Sequence, residues 1–211
     1  IGPKKFDVPW KDLEKQGWIA KAQCVEMRLD LPMREKMHYL GLSPKEQVRL
    51  AYENPNKLAV ARELIEKHRG DRILVIGLYL SQLNHFAREL GAELITGSTP
   101  NRKRDELYDS FRRGHTKLLI LSKVGNFAVD LPDANVAIQI SGSFGSRQEE
   151  AQRLGRILRP KKDGEQATFY SIVTRETKEL DFAMKRQLFL AEQGYAYDIQ
   201  YWEPEAGSPA G

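Results

Sequence analysis

Between residues 23 and 31, Val25, Met27, Leu29 and Leu31 alternate with Cys24, Glu26, Arg28 and Asp30, the two-residue period of a strand with one buried face. From Pro55 the pattern changes to an alternation of helices and strands. Apolar positions at helical spacing over 57–67 give way to the unbroken run Ile73-Leu74-Val75-Ile76, and Leu80, Leu83, Phe86, Ala87 and Leu90 then share one helix face. Strands follow at 93–96, 117–122 and 136–140, with a helix over 101–113 between the first two. A helix from about 146, a strand at 167–173 and a long terminal helix over 175–192 complete the series. Ile73 to Ile76 and Leu118 to Leu121 are continuously apolar, as strands must be when helices cover both faces of their sheet. The pattern predicts an α/β fold built on one mostly parallel sheet with helices on both faces.

The remaining stretches are less regular. Residues 1–22 carry two prolines and two tryptophans around a short helical pattern, which reads as an N-terminal lead-in. Residues 32–56 are punctuated by Pro and Asn and predict one or two short helices inserted before the regular fold resumes. The body of the domain is expected over 23–193, and 194–211, rich in Pro, Gly and Ala at its end, is read as a C-terminal tail. With 211 residues, 41% hydrophobic and 29% charged, the composition is that of a soluble globular domain and excludes a disordered chain. Cys24 is the single cysteine, which excludes an internal disulfide framework and a cysteine zinc site and fits a reducing compartment. No apolar run approaches the roughly 20 residues of a membrane span, and no signal-peptide pattern opens the chain. An intracellular location is expected, cytoplasmic or nucleoid-associated in a prokaryote and nuclear in a eukaryote. The net charge of +4 permits a polyanionic partner without requiring one.

In doubly covered parallel sheets, function gathers where loops leave the carboxyl ends of the strands. The sharpest candidate is 148–159, where Arg156 and Arg159 stand three apart and emerge from one face of a helix, with Gln152 one turn earlier. Two planar, permanently charged guanidinium groups on one face suit the charge that spreads over a transferring phosphoryl group. A solvated basic face is the ordinary alternative. Gly155 argues against it, because glycine costs a helix about 1 kcal/mol relative to alanine and marks a close approach to the backbone. A second candidate is the loop Thr96-Gly97-Ser98-Thr99, with hydroxyls and backbone amides at a strand end, followed by Pro100 and a helix bearing Arg102, Lys103 and Arg104. Such groups hold a nucleic-acid backbone by its phosphates without reading sequence. Ser122 and Lys123 stand at another strand end and would extend the grip. The alternative for Ser98 or Thr99 is a helix N-cap. His38, His68, His85 and His115 lack metal-ligand spacing and read as surface or helix-end residues. Asp105-Glu106 reads as a solvated helix face, as do Lys178, Lys185 and Arg186.

These residues carry a resemblance. Gln152-Arg153-Leu154-Gly155-Arg156-Ile157-Leu158-Arg159 is similar to motif VI of superfamily 2 helicases. Ser122 to Gly125, with Asp130-Leu131-Pro132 and Ala134-Asn135-Val136, resembles motif V, and Arg72 to Gly77 resembles motif IV. Ile1 to Lys4, Ile19 to Lys21, Asn54-Pro55-Asn56-Lys57, Gln139-Ile140-Ser141, Glu149 to Arg159, Lys185 to Gln187 and Glu192 to Tyr195 look like the XPB family of DNA-repair helicases. The resemblance implies a RecA-like C-terminal helicase domain with Arg156 and Arg159 as arginine fingers and Gln152 near the γ-phosphate. It implies that Gly125 and Asp130 couple nucleotide to nucleic acid, with Arg153 on the nucleotide side. ATP with Mg2+, DNA, an N-terminal helicase lobe, and repair nucleases or transcription and repair factors are the implied ligands and partners. Some XPB relatives carry a thumb-like insertion near residues 23–56, and here that stretch is brief.

What is missing bounds the expectation. None of the 16 glycines is followed by lysine, so the phosphate-binding loop Gly-Lys-Ser/Thr is absent, and no acidic pair ends an apolar strand to hold magnesium. The chain alone should not hydrolyse ATP. It reads either as a C-terminal fragment of a larger helicase, favoured because Ile1 begins without a methionine, or as a separate protein acting beside a partner lobe. Two other readings stay open, a RecA-like binding module that has lost catalysis and a superfamily 2 translocase that moves DNA without separating its strands.

Overall fold

In the computed structural model, residues 22–122, 134–142, 166–192 and 195–204 are described. The element order is β1 (Ala22–Leu29), α1 (Met33–Leu40), α2 (Pro44–Tyr52), α3 (Asn56–Lys67), β2 (Ile73–Gly77), α4 (Leu80–Leu90), β3 (Glu93–Ile95) and α5 (Asn101–Arg112). Then come β4 (Leu118–Ser122), β5 (Val136–Gln139), β6 (Ala167–Thr174), α6 (Lys178–Glu192) and β7 (Ala196–Tyr201). The strands form one sheet of order β3-β4-β2-β5-β6-β1-β7. Every pairing between described strands is parallel.

The continuous apolar strands are explained by two cores, one on each face of the sheet. Ile73 and Val75 of β2, with Ile120, Ile138 and Tyr170, pack against Leu58, Ala61 and Leu64 of α3 and against Leu83 and Phe86 of α4. Leu74 and Ile76, with Leu119, Leu121, Ala137 and Phe169, pack against Leu107, Tyr108 and Phe111 of α5 and Leu190 of α6. Successive side chains of a strand point to opposite faces, so each strand serves both cores. Loops close the helices cleanly. Helix α4 ends at Gly91, whose left-handed backbone (φ +61°) lets its amide reach back into the last turn. Helix α2 starts with Pro44 behind a Ser43–Glu46 capping box.

Three expectations change. First, β1 is buried on both faces, not one: Cys24 and Glu26 are as enclosed as Val25 and Leu29. The reason is that both faces are covered: Cys24 packs in the core that holds Leu190 of α6, and Val25, Met27 and Leu29 in the core that holds Leu58 and Leu64 of α3. Glu26 is accommodated by Arg28, whose Nε donates to its carboxylate at 2.6 Å, and by the Tyr197 hydroxyl. Second, the stretch read as a tail from 194 contains the edge strand β7. Its alternation of Tyr197 and Ile199 with Asp198 and Gln200 is short and half-exposed, so it resembled a polar tail. Third, the terminal helix begins at Lys178 rather than 175, because Thr177 caps it: the Thr177 hydroxyl accepts the Glu179 amide at 3.2 Å and donates to the Thr174 carbonyl at 2.8 Å. The 32–56 insertion resolves as α1 and α2, and the lead-in lies outside the described residues. Among the described residues no helix is long and apolar enough to cross a membrane.

Burial pushes the Cys24 thiol up to about 12. At pH 8 the native protein should therefore not react with an aromatic disulfide reagent, and one equivalent of thiol should appear on addition of denaturant. Rapid native labelling would contradict the placement of β1.

Candidate functional site at the carboxyl ends of the strands

Because every pairing is parallel, all carboxyl ends of the strands open on one edge of the sheet. After β2 the chain moves to β3 on one side of the sheet, and after β5 it moves to β6 on the other. The crevice between the ends of β2 and β5 is thus the switch point at which such sheets bind ligands. A chain of hydrogen bonds lines it. The Leu78 amide donates to Ser141 Oγ at 2.8 Å, Ser141 Oγ donates to Gln82 Oε1 at 2.9 Å, and Gln82 Nε2 donates to the Tyr52 carbonyl at 2.6 Å. Gly77 permits this approach: a Cβ there would lie 2.8 Å from Leu83 Cδ2 and 3.1 Å from both Ile140 Cγ1 and Ser141 Oγ. At Gly142, past β5, a Cβ would lie 2.5 Å from Gln139 Nε2, the movable end of a side chain.

Beside the crevice lies a lysine with 0% exposure. Lys57 Nζ donates to the Ile140 carbonyl at 2.8 Å, the Ile172 carbonyl at 3.0 Å and Glu179 Oε1 at 2.6 Å. The Tyr52 ring lies 5.4 Å from the same ammonium. Glu179 Oε2 accepts the Thr174 amide at 3.0 Å. Burial pushes the lysine below and the carboxyl above their ordinary values, and the charge of each partner pulls the other back. The turn leading to Lys57 is laced to its surroundings as well. Asn54 Nδ2 donates to the Asp30 carbonyl at 3.1 Å and to Thr174 Oγ1 at 3.2 Å, and Thr174 Oγ1 donates to the Ala51 carbonyl at 2.7 Å.

The Thr96–Thr99 loop leaves β3 next to the end of β4: Ile95 pairs with Leu121, and Gly77 with Ser122. Neither Ser98 nor Thr99 caps α5, whose N-cap is Pro100 without a side-chain cap. The Thr96, Ser98 and Thr99 amides of the loop are already engaged, contrary to expectation. Thr99 Oγ1 accepts the Thr96 amide at 2.9 Å, Thr96 Oγ1 accepts the Ser98 amide at 3.3 Å, and the Thr99 amide donates to the Thr96 carbonyl at 3.2 Å. Arg104 is buried beneath and donates to the carbonyls of Thr99 (3.1 Å) and Thr96 (3.4 Å). The loop is therefore a prefolded turn with Gly97 and Ser98 exposed at its tip.

The sequence-predicted residues divide into three groups. Gly97, Ser98, Thr99 and the exposed Arg102, which pairs with Glu106 at 3.0 Å, share the strand-end edge. Ser122 is there too, but buried. Lys123, Gly125, Asp130, Gln152, Arg153, Arg156 and Arg159 lie outside the described residues. Arg186, read as part of a solvated face, instead turns inward and donates to Ser171 Oγ at 2.6 Å, because α6 packs along β6. Lys57 falls in the Asn54-Pro55-Asn56-Lys57 stretch but had no role assigned to it, and Glu179 and Gln82 belong to no motif. The legible signal was Lys57 itself, which stands at helical spacing from Ala61 and Leu64 on the apolar face of α3. Among the described residues no group of three His, Cys, Asp or Glu side chains is placed to hold a metal ion.

Residues 13–204 match the ERCC3/RAD25/XPB C-terminal helicase family. The chain belongs to that family. It is 54% identical over 200 residues to the DNA 3'-5' helicase XPB of Mycobacterium tuberculosis, a match that covers 95% of this chain and 36% of that protein. It is 40% identical over 205 residues to the general transcription and DNA repair factor IIH helicase/translocase subunit XPB of Schizosaccharomyces pombe, covering 94% of this chain and 26% of that one. The chain thus spans about a third or less of the length of these XPB relatives. Among solved structures, the C-terminal domain of the DEAD-box protein Dbp5 superposes with a TM-score of 0.63 at 16% identity, over 85% of this chain and 91% of that domain. The sheet is accordingly the RecA-like fold expected of an XPB-family C-terminal helicase domain.

The crowding at Gly77 gives a direct test. Gly77→Ala should overpack the crevice and lower stability by about 1–3 kcal/mol, seen as a lower urea midpoint at unchanged m-value. An unchanged midpoint would contradict the close approach of β2 and α4.

Proposed function

We propose that this chain is the second motor lobe of an ATP-dependent DNA helicase or translocase acting in DNA repair. The observation that carries the reading is the family match over residues 13–204, which takes in the arginine segment 152–159. In this role Arg156 and Arg159 place positive charge where the transferring phosphoryl group develops negative charge, and Gln152 stands near the γ-phosphate. Gly125 and Asp130 couple the nucleotide to the strand, with Arg153 on the nucleotide side. ATP and Mg2+ are held mainly by the first lobe, since the sequence has no Gly-Lys-Ser/Thr loop and the described residues have no metal-ligating cluster.

The DNA backbone is held by Gly97, Ser98, Thr99 and Arg102, and by Ser122 and Lys123, with Lys123 supplying the charge. The support is their common position at the ends of neighbouring strands β3 and β4, and the rigidity that Arg104 gives the first loop. A rigid turn positions a phosphate without identifying a base, as stepping along any sequence demands. Closing of the two lobes on ATP and their reopening after hydrolysis would alternate the grips. The partners are DNA, the first helicase lobe, and transcription or repair factors of the kind named for the Schizosaccharomyces pombe relative, with repair nucleases as a further class. The site of action is wherever the cell keeps its DNA.

Arg156→Ala in the two-lobed protein should lower DNA-stimulated ATP hydrolysis by about 10³-fold or more while leaving DNA binding near wild type. Undiminished hydrolysis would sink the motor reading and favour a binding module. Lys123→Ala should weaken binding equally on unrelated DNA sequences and reduce the slope of log K against log salt by about one unit. A sequence-selective loss would remove Lys123 from the backbone grip.

A further inference from the structure

Two turns that the motor reading leaves unused carry most of the chain's surplus charge. Residues 66–72 contain Lys67, Arg69 and Arg72 against Glu66 and Asp71, and 109–117 contain Arg112, Arg113 and Lys117 against Asp109. Six cations thus face three acids, a surplus of three where the whole chain has +4. The turns follow α3 and α5 and lead into β2 and β4, which pair, so both lie at the amino ends of adjacent strands. They brace each other. Arg72 Nη1 donates to the Arg112 carbonyl at 3.3 Å, Lys117 Nζ to the Gly70 carbonyl at 2.8 Å, and the Ile73 amide to the Lys117 carbonyl at 2.7 Å. One basic patch therefore forms at the edge of the sheet opposite the motor edge.

The acids do not cancel it outward. Asp71 is turned inward, its side chain 18% exposed, with His68 Nδ1 3.1 Å from its carboxylate and the Tyr170 hydroxyl 2.8 Å from the other ring nitrogen. The Arg69 side chain is 79% exposed and donates from Nη2 to Glu66 at 2.8 Å. An exposed pair of that kind contributes about 0–1 kcal/mol, so a phosphate can share or displace it. Helix dipoles account for the cations at the ends of α3 and α5, namely Lys67, Arg112 and Arg113. They do not account for Arg69, Arg72 and Lys117, which lie beyond those ends.

We infer that this patch holds a single strand of DNA by its phosphates, away from the motor edge. This rests on the motor-lobe reading above. Four of the six cations are arginines, whose planar fork suits phosphate. A protein partner is disfavoured, because the centre of a protein interface is apolar. Among the described residues, none of the exposed large apolar side chains falls in 66–72 or 109–117. A single strand fits and a duplex does not. β2 and β4 have five residues each, which puts about 16 Å between the two edges. Duplex DNA is stiff over about 150 base pairs and bends from one edge of a single domain to the other only at high cost, whereas a separated strand follows freely.

The test uses the two-lobed protein and forked DNA with a single-stranded arm of about 3 or about 20 nucleotides, since roughly five cover about 16 Å at about 3.4 Å each. Wild type should bind the long-arm fork about 10-fold more tightly than the short-arm fork. Arg69→Ala/Arg113→Ala, which keeps the Arg72 and Lys117 braces, should lose that gain and lower the slope of log K against log salt on the long arm by about 1.4. It should melt within about 2 °C of wild type. Its affinity for blunt duplex and its kcat for ATP hydrolysis on the short-arm fork should stay within about twofold.

Wild-type affinity that does not depend on arm length overturns the inference. So does a double variant with undiminished long-arm binding, or one that loses as much on the short-arm fork or on blunt duplex. Should the double variant not fold, Lys67→Ala decides by the same measures. If Arg156→Ala leaves hydrolysis intact, the motor reading fails instead, and the dependence of binding on arm length still decides whether the patch holds a strand.

Discussion

The architecture of the functional edge depends on one ammonium group. Lys57 has no water to fall back on, and its three donors meet three oxygens from three different elements. Removing either charge would leave the other buried and uncompensated, a loss of about 3–5 kcal/mol in comparable pairs. The cost of burying both ions is offset by a full set of directed bonds, including the Thr174 amide on the second carboxylate oxygen. Around this point the Asn54 amide and the Thr174 hydroxyl extend the same logic, each joining segments that are far apart in sequence. Parallel strands end raggedly unless something levels them. Here a polar network does so, inside a sheet whose two faces are otherwise apolar.

Most of the fold was legible because its signal is periodic. The runs at 73–76 and 118–121 carry no polar residue, and two-sided burial is the simplest cause. Helices α3, α4 and α5 were placed within a residue or two for the same reason. The failures have physical causes. Cys24 and Glu26 looked like the wet side of β1 because one is small and the other charged, and only the elements packed over that face show that they are enclosed. β7 has six residues of mixed polarity at a sheet edge, where half-exposure removes the contrast on which pattern reading depends.

The site was legible in a different way. The arginine segment and the Thr96–Thr99 loop stand out through residue type and spacing, which chemistry constrains directly. Their supports do not stand out, because a buried Lys57, a Gln82 or an Arg104 becomes meaningful only once the groups it touches are known. The Thr96–Thr99 loop illustrates the difference. Its composition advertised free donors, yet the Thr96, Ser98 and Thr99 amides are spent in shaping the turn, and shape is what it offers to a partner.

The position of β1 has a consequence for how the chain comes to be folded. Its Ala22 pairs with Ala167 and its Gln23 with Ala196, so the first strand of the sheet closes only against strands made last. Contacts of such separation form slowly, since a long loop must be closed before they return any energy. On the ribosome, α3 through β5 have their mutual partners early, whereas β1 must wait with its apolar residues unpaired until β6 and β7 have emerged. Within this sheet β1 is then the keystone, and the interval before it is laid is when a chaperone would have most to protect.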